Sequence, residues 1–246
     1  MVVWLTKRLG LAPPLAKLVH LHGFSDHINT YYDLFPTLAR QRILCTGIDQ
    51  RGWGRSVHNR RDRGNTGPTS LILEDIVCFI EAQLASPPAV PLFVMGPSMG
   101  GGLLATLASI PKYESLVSRI RGIMLEAPYI DLFPNRRPWN ITAVQNAISN
   151  DRFMYPIGRL EMLINMLERA ADLSSGKSRL SNHVKALDVA HGTADRLTSY
   201  NATKQWVESQ TNTIKKRESK KYDGWSHLLH VDMPENREIF ADDCAS

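Results

Sequence analysis

The sequence has little cysteine, no long apolar run and no internal repeat. Its 246 residues include three cysteines, at positions 45, 78 and 244, which are too few and too scattered for a disulfide framework. No stretch approaches the roughly 20 apolar residues that span a bilayer. Lys7 and Arg8 interrupt the N-terminus, which lacks the basic-then-apolar order of a signal peptide. We therefore expect a protein of the reducing, cytoplasmic compartment.

Charge is only modestly unbalanced. The net charge is +5, while hydrophobic residues make up 43% and charged residues 22% of the chain, a composition that excludes global disorder. Two basic clusters, at 51–63 and 215–221, raise the question of nucleic-acid binding. Because no nucleic-acid motif accompanies them, we interpret them as solvated loops and expect no nucleic-acid partner.

Short apolar runs alternate along the chain with helical patterns. Each run ends at a turn residue, as strands buried on both faces of a parallel sheet do. Asp188 is the one residue that fits its run poorly. The runs lie at 18–21, 43–48, 91–95, 122–125 and 186–190, and the helical patterns at 32–40, 70–84, 101–109, 158–172 and 198–210. The alternation predicts an α/β protein with a mostly parallel sheet and helices on both faces, organised as a single domain over residues 1–246.

One segment breaks this alternation. Residues 129–183 contain several prolines near their start and then one amphipathic helical pattern. We interpret the segment as a cap or lid inserted after a strand. An ordinary helix that packs on the core is the alternative.

The segment Gly96-Pro97-Ser98-Met99-Gly100 has the form G-x-S-x-G. It follows an apolar run and opens a helical one, so it predicts a sharp strand–turn–helix that exposes the hydroxyl of Ser98. A serine in this position sits at a helix N-terminus, where developing negative charge is favoured. We therefore expect Ser98 to be a nucleophile.

A serine hydroxyl needs a base and the base needs an orienting acid. In this type of fold the order along the chain is Ser, then acid, then His. His227 follows a glycine-containing turn near the C-terminus, with His230 as its competitor. Asp195 directly follows a predicted strand, whereas Asp172 and Asp188 fit less well. We favour Asp195 and His227.

The first apolar run ends in His22-Gly23-Phe24. Gly23 permits close approach of the backbone to a neighbouring group. The N–H groups of Phe24 and Met99 are then candidates for an oxyanion hole.

Together these motifs resemble the α/β-hydrolase superfamily. More narrowly they resemble the monoacylglycerol lipase and lysophospholipase-like group, with a serine aminopeptidase S33-type domain and a fungal-like character. The motifs are HGFSDH (22–27), DQRGWGRS (49–56), GPSMGG (96–101), HGTAD (191–195) and HLLH (227–230). The resemblance implies hydrolysis of acylglycerol esters through an acyl-enzyme on Ser98, with no cofactor and no metal.

Several further expectations depend on this resemblance. The N-terminal strands, the cap and the last helix look shorter than in the family. The apolar residues of the cap helix would line an acyl-binding site or face a membrane or lipid droplet: Leu160, Leu163, Ile164 and Leu167. A lysophospholipase, a small-ester esterase or a peptidase of the same fold, and a degenerate scaffold without catalysis, remain alternatives. The sequence does not indicate an oligomeric state.

Overall fold

A seven-stranded sheet forms the centre of the molecule. The structure, a computed structural model, describes residues 2–4, 12–131, 151–154, 158–210, 214 and 216–245. The strands are β1 (Val2–Trp4), β2 (Ala16–Leu21), β3 (Ile43–Ile48), β4 (Leu92–Pro97), β5 (Gly122–Glu126), β6 (Ala186–Gly192) and β7 (Lys216–Tyr222). Their order in the sheet is β1-β3-β2-β4-β5-β6-β7. Strand β1 pairs antiparallel with β3, and the other six strands run parallel.

Successive residues of the central strands contribute to two different apolar cores. Val19 and Val94 belong to the larger core on one face of the sheet. Their chain neighbours Leu18 and Met95 belong to the core on the other face. Because side chains alternate across a strand, this partition shows that both faces of the sheet are covered.

The helices divide between the same two faces. They are α1 (Leu34–Arg40), α2 (Thr69–Ala85), α3 (Ser98–Ala108), α4 (Glu114–Val117), α5 (Leu160–Ser174), α6 (Tyr200–Ser209) and α7 (Pro234–Asp243). Helices α1 and α7 supply the core that contains Leu18, whereas α2 to α6 supply the core that contains Val19. The predicted parallel sheet with helices on both faces is thereby confirmed.

Asp188, the poor fit of the sequence pattern, lies within β6 and is half-buried. Burial raises the pKa of its carboxyl group, and the nearby Glu218 raises it further. Strand β6 therefore contains one partly exposed acidic side chain between two buried apolar residues.

The described part of segment 129–183 contains α5. Met162, Ala170 and Leu173 of α5 are buried, so this helix packs on the core along one side. Residues 132–150 and 155–157 of the predicted cap lie outside the described residues. Over the described ranges, no helix has both the length and the hydropathy to cross a bilayer.

The strand order reverses at β2, which pairs with β3 on one side and β4 on the other. In open parallel sheets, sites form beyond the carboxyl ends of the strands near such a reversal. The loops that follow β2, β4, β5 and β6 are therefore the place to look for a functional site.

Candidate active site

Ser98 occupies the turn between β4 and α3. Its φ of +49° lies in the left-handed region, which costs energy for a residue with a side chain. A Cβ at Gly96 would lie 2.6 Å from the carbonyl carbon of Gly100. A Cβ at Gly100 would lie 2.3 Å from the carbonyl oxygen of Leu21, so the turn restricts Gly96 to glycine and the adjacent end of β2 restricts Gly100. Only 9% of Ser98 is exposed, and it is the first residue of α3.

Asp195 and His227 form a buried pair beyond the carboxyl end of β6. The distance from His227 Nδ1 to Asp195 Oδ2 is 2.7 Å. The same carboxylate oxygen accepts a hydrogen bond from Thr198 Oγ1 at 2.7 Å and lies 3.0 Å from His191 Nε2. The backbone N–H groups of Leu197 and Thr198 donate to Oδ1. Asp195 is thus fixed by five contacts.

These contacts determine which group carries the proton. Burial alone would raise the pKa of Asp195, but the electrostatic interaction with His227 and the hydrogen bonds from His191 and His227 hold it well below its ordinary value. The carboxylate is therefore ionised and accepts the Nδ1 proton of His227. That tautomer leaves Nε2 of His227 as the basic nitrogen.

The competing residues of the sequence have other partners. His230 Nδ1 lies 2.7 Å from Glu126 Oε1, and both side chains are only 1% exposed. Asp172 lies on α5 and pairs with Lys177 at 2.8 Å. The structure therefore brings Asp195, and neither Asp172 nor Asp188, into hydrogen-bond contact with His227.

The turn after β5 links Ser98 to this pair. The backbone N–H of Tyr129 donates to the carbonyl of Ser98 at 2.9 Å. Two residues earlier, Ala127 has a φ of +40°, and its carbonyl lies 3.2 Å from Thr198 Oγ1. Thr198 in turn contacts both Asp195 and His227, so the nucleophile candidate and the His–Asp pair share one short segment.

The loop after β2 approaches Ser98 closely. A Cβ at Gly23 would lie 3.6 Å from Ser98 Cβ. The N–H of Gln50 donates to His22 Nε2, and His22 Nδ1 lies 2.8 Å from the carbonyl oxygen of Gly23. His22 is therefore neutral with its proton on Nδ1, and burial, the largest influence, lowers its pKa. Because the carbonyl and the N–H of one peptide point in opposite directions, His22 orients the N–H of Phe24 away from itself.

Phe24 follows Gly23 in the loop that approaches Ser98, and the second oxyanion candidate, Met99, directly follows Ser98 in the chain. Met99 is buried in the first turn of α3, where the helix dipole and its backbone N–H favour negative charge. The ring of Phe24 packs against Trp53 with centroids 5.0 Å apart. A Cβ at Gly158 would lie 3.1 Å from the ring of Phe24, so the residues just before α5 lie against this loop.

A second contact joins the inserted segment to the same loop. His27 Nε2 lies 2.8 Å from Asp151 Oδ2, and the guanidinium of Arg55 lies 4.5 Å from the ring centroid of Phe153. These residues come from three distant parts of the sequence. These two contacts thus hold residues 151–153 of the insertion beside the candidate oxyanion loop.

The four apolar residues predicted to bind substrate lie on two sides of α5. Leu163 is partly buried against the larger core. The other three are exposed to 73%, 45% and 47%: Leu160, Ile164 and Leu167. Their role in substrate or membrane binding stays a prediction.

Sequence reasoning missed the residues that support the site. Glu126 contacts the loop that carries His227, Thr198 and His191 contact Asp195, and Gln50 contacts His22. Gln50 and His191 lie within the quoted motifs, so the motifs contained a signal for them. Thr198 lies three residues after Asp195 and just outside its motif, whereas Glu126 has no such signal, because only the sheet brings it to the loop of His227.

The chain is similar to known proteins in sequence and in fold. The family model described as serine aminopeptidase, S33, matches residues 12–145. The chain is 26% identical over 249 residues to a Schizosaccharomyces pombe protein named "Putative monoglyceride lipase", covering 89% of this chain and 63% of that protein. It is 24% identical over 251 residues to human monoglyceride lipase, covering 90% of this chain and 78% of that protein. The chain thus spans less than two thirds of the S. pombe relative.

A solved structure shows the same fold. A soluble variant of Saccharomyces cerevisiae monoglyceride lipase in complex with a substrate analog superimposes with a TM-score of 0.85 at 19% identity, over 99% of this chain and 88% of that one. Its sheet and helices match those described above. Because the family model also covers more than half of the sequence, the chain belongs to the serine aminopeptidase S33 family of α/β-hydrolases.

Proposed function

We propose that the chain is a serine ester hydrolase of the monoacylglycerol lipase type, with Ser98 as nucleophile, His227 as base and Asp195 as acid. One observation carries the proposal: a buried, multiply hydrogen-bonded Asp195–His227 pair stands one short turn away from a serine in the left-handed region at a helix N-terminus. A serine needs such a pair to become nucleophilic. The monoglyceride lipase names of the relatives suggest the substrate class.

The first half of the reaction forms an acyl-enzyme. Ser98 Oγ attacks the ester carbonyl as His227 Nε2 takes its proton, and Asp195 stabilises the imidazolium that results. The N–H groups of Phe24 and Met99 would bind the oxyanion of the tetrahedral intermediate. Collapse of the intermediate breaks the ester C–O bond, and the leaving alcohol takes the proton from His227.

The second half repeats these steps with water. His227 removes a proton from a water molecule, whose oxygen attacks the acyl carbonyl. The new tetrahedral intermediate expels Ser98 Oγ, which recovers the proton from His227. The fatty acid leaves and the serine is restored, so no cofactor enters the balance.

The apolar residues on the exposed side of α5 favour a function with an apolar substrate at a lipid surface. Leu160, Ile164 and Leu167 form an outward stripe. The guanidinium of Arg159 donates to the carbonyl of Arg61, which places the arginine-rich turn at 60–63 beside the start of that stripe. An apolar stripe next to arginines suits peripheral contact with an anionic membrane or a lipid droplet, and the stripe would deliver acyl chains toward Phe24.

A fluorophosphonate probe tests the nucleophile. We expect the wild-type protein to be labelled and Ser98→Ala to remain unlabelled, since the probe phosphonylates only an activated serine. Ser109→Ala is a matched control, because Ser109 directly follows α3 and its hydroxyl donates only to the carbonyl of Ala105. Equal labelling of wild type and Ser98→Ala would refute the proposal.

A series of esters then tests the substrate. We expect monoacylglycerols with long acyl chains to be turned over faster than lysophospholipids or short esters. A preference for short esters would favour a small-ester esterase, and folded protein that turns over no ester would favour a scaffold without catalysis.

A further inference from the structure

Glu126 is a buried carboxylate outside the proposed triad. It is the last residue of β5 and is fully buried. Its Oε1 accepts hydrogen bonds from the backbone N–H of Leu229 at 2.6 Å and of His230 at 3.2 Å. The imidazole of His230 adds contacts of 2.7 and 2.8 Å to the two carboxylate oxygens. A carboxylate needs such donors when it is removed from water.

The backbone of Glu126 lies between the strands that carry the other site residues. In the parallel register it is opposite Pro97, which directly precedes Ser98. On its other side it is opposite Ala190, five residues before Asp195. One residue therefore touches the strand of the nucleophile and the strand of the acid with its backbone, and the loop of the base with its side chain.

The loop that carries His227 is held at three places. Before His227, the N–H of Ala194 donates to the carbonyl of Trp225 at 3.0 Å. Ser226 donates through its N–H and its hydroxyl to Asp232, which belongs to the same segment. After His227, the side chain that connects the loop to the central strands is that of Glu126.

We propose that Glu126 is a positioning residue of the reaction: it fixes the backbone of residues 229 and 230 to the end of β5 and so holds His227 in register with Asp195 and Ser98. This inference rests on the proposed function. The positioning role requires that the side-chain oxygen of Glu126 reaches the two backbone N–H groups. The negative charge of the carboxylate is the secondary feature, because an amide oxygen accepts the same hydrogen bonds.

Two conservative variants separate reach from charge. Glu126→Gln keeps the acceptor oxygen in place and removes the charge. Glu126→Asp keeps the charge and withdraws the oxygen by about 1.5 Å, one C–C bond length. We expect Glu126→Asp to lower kcat by about 10- to 100-fold, since small misplacements of a catalytic group have effects of this size. We expect Glu126→Gln to stay within about fivefold of wild type, with KM little changed in both.

A spectroscopic readout makes the test independent of turnover. The proton between His227 Nδ1 and Asp195 should give a far-downfield ¹H NMR resonance, assigned by its loss in His227→Asn. We expect this resonance to shift or broaden in Glu126→Asp and to be retained in Glu126→Gln.

Lys17→Met is the matched control for destabilisation. Lys17 is also buried, and its ammonium group donates to backbone carbonyls near the end of α2, at the opposite end of β2 from His22. We expect Lys17→Met to lower the unfolding temperature and to leave kcat per folded molecule and the resonance unchanged. A purely structural role of Glu126 would make Glu126→Asp behave in the same way.

The outcomes separate the two proposals. If Glu126→Gln loses as much activity as Glu126→Asp or more, charge decides and the positioning role is overturned. If both variants keep the wild-type kcat and resonance, it is overturned as well. If the fluorophosphonate fails to label Ser98, the proposed function fails, while the response of the resonance in the two variants still decides whether Glu126 positions His227.

Discussion

Two histidines three residues apart each meet a buried carboxylate, and their surroundings differ. The partner of His227 is Asp195, on the loop after β6, which accepts further hydrogen bonds from Thr198 and two backbone N–H groups. The partner of His230 is Glu126, inside the sheet. The ring of His230 stacks on Tyr31 at a centroid distance of 4.4 Å, and its Nε2 has no hydrogen-bond partner among the described residues.

The difference shows that a His–carboxylate contact alone does not identify a base. His230 is buried beside the ring of Tyr31 and the end of β5, and its carboxylate partner Glu126 also accepts hydrogen bonds from the backbone. His227 belongs to a cluster that reaches the turn beside Ser98 through Thr198. We therefore propose that the Asp195–His227 pair takes part in the reaction and that the Glu126–His230 pair supports it.

The largest expected effect comes from breaking the Asp195–His227 pair. Asp195→Asn should lower kcat by about 10⁴-fold, because the amide no longer stabilises the imidazolium or enforces the Nδ1–H tautomer. Steady-state hydrolysis of a monoacylglycerol measures the effect. Asp172→Asn, at a partly exposed acid that the sequence also offered, serves as the control and should retain wild-type kcat. Similar losses in both variants would contradict the assignment.

Breaking the second pair should affect stability more than chemistry. His230→Leu removes one partner of a buried carboxylate, which typically costs about 3 kcal/mol of the free energy of unfolding. The backbone N–H donors to Glu126 remain, so kcat of the folded variant should fall less than in Glu126→Asp. Urea denaturation followed by tryptophan fluorescence, with active-site titration of the folded protein, measures both quantities. A loss of kcat like that of Asp195→Asn would make His230 part of the chemistry.

The smallest effect concerns a third histidine that lacks a carboxylate. His20 also packs against Tyr31, with ring centroids 4.0 Å apart, and neither of its ring nitrogens has a hydrogen-bond partner among the described residues. Burial, the largest influence, and the nearby His230 lower its pKa well below 6.5. As the pH falls below 6.5, His20 therefore binds a proton in the unfolded chain but not in the folded chain, and the free energy of unfolding decreases.

His20→Leu should remove this dependence. The free energy of unfolding of the wild type should decrease between pH 7 and pH 5 by about 1 to 2 kcal/mol more than that of His20→Leu. Urea denaturation at both pH values measures the difference. His58→Gln, at an exposed histidine, should keep the wild-type dependence. Identical pH dependence in wild type and His20→Leu would show that burial of His20 has no such cost.

The strands and helices were predictable because their signals are local. The predicted run at 43–48 coincides with β3, and the pattern at 70–84 with α2 (Thr69–Ala85). The helical pattern predicts that α3 begins at 101, whereas the helix begins at Ser98. The glycine-rich stretch weakens the helical pattern in the sequence, but the tight turn after β4 requires the helix to start there.

The candidate site was predictable only where motif residues lie at strand ends. Ser98, Asp195 and His227 follow β4, β6 and β7, so their order and spacing indicated them. The contact between Glu126 and the loop at 229–230 spans more than 100 residues, and no periodicity encodes it. The His27–Asp151 contact escaped prediction for the same reason.

Helix α3 has a consequence for which substitutions this chain tolerates. All eleven of its residues are buried, so nearly any substitution there disturbs close packing, whether or not it touches the reaction. In a library selected only for folded protein, the whole of Ser98–Ala108 would look intolerant. Ser98→Ala, a removal of one oxygen atom, would be the informative survivor: common among folded clones and missing among clones selected for turnover.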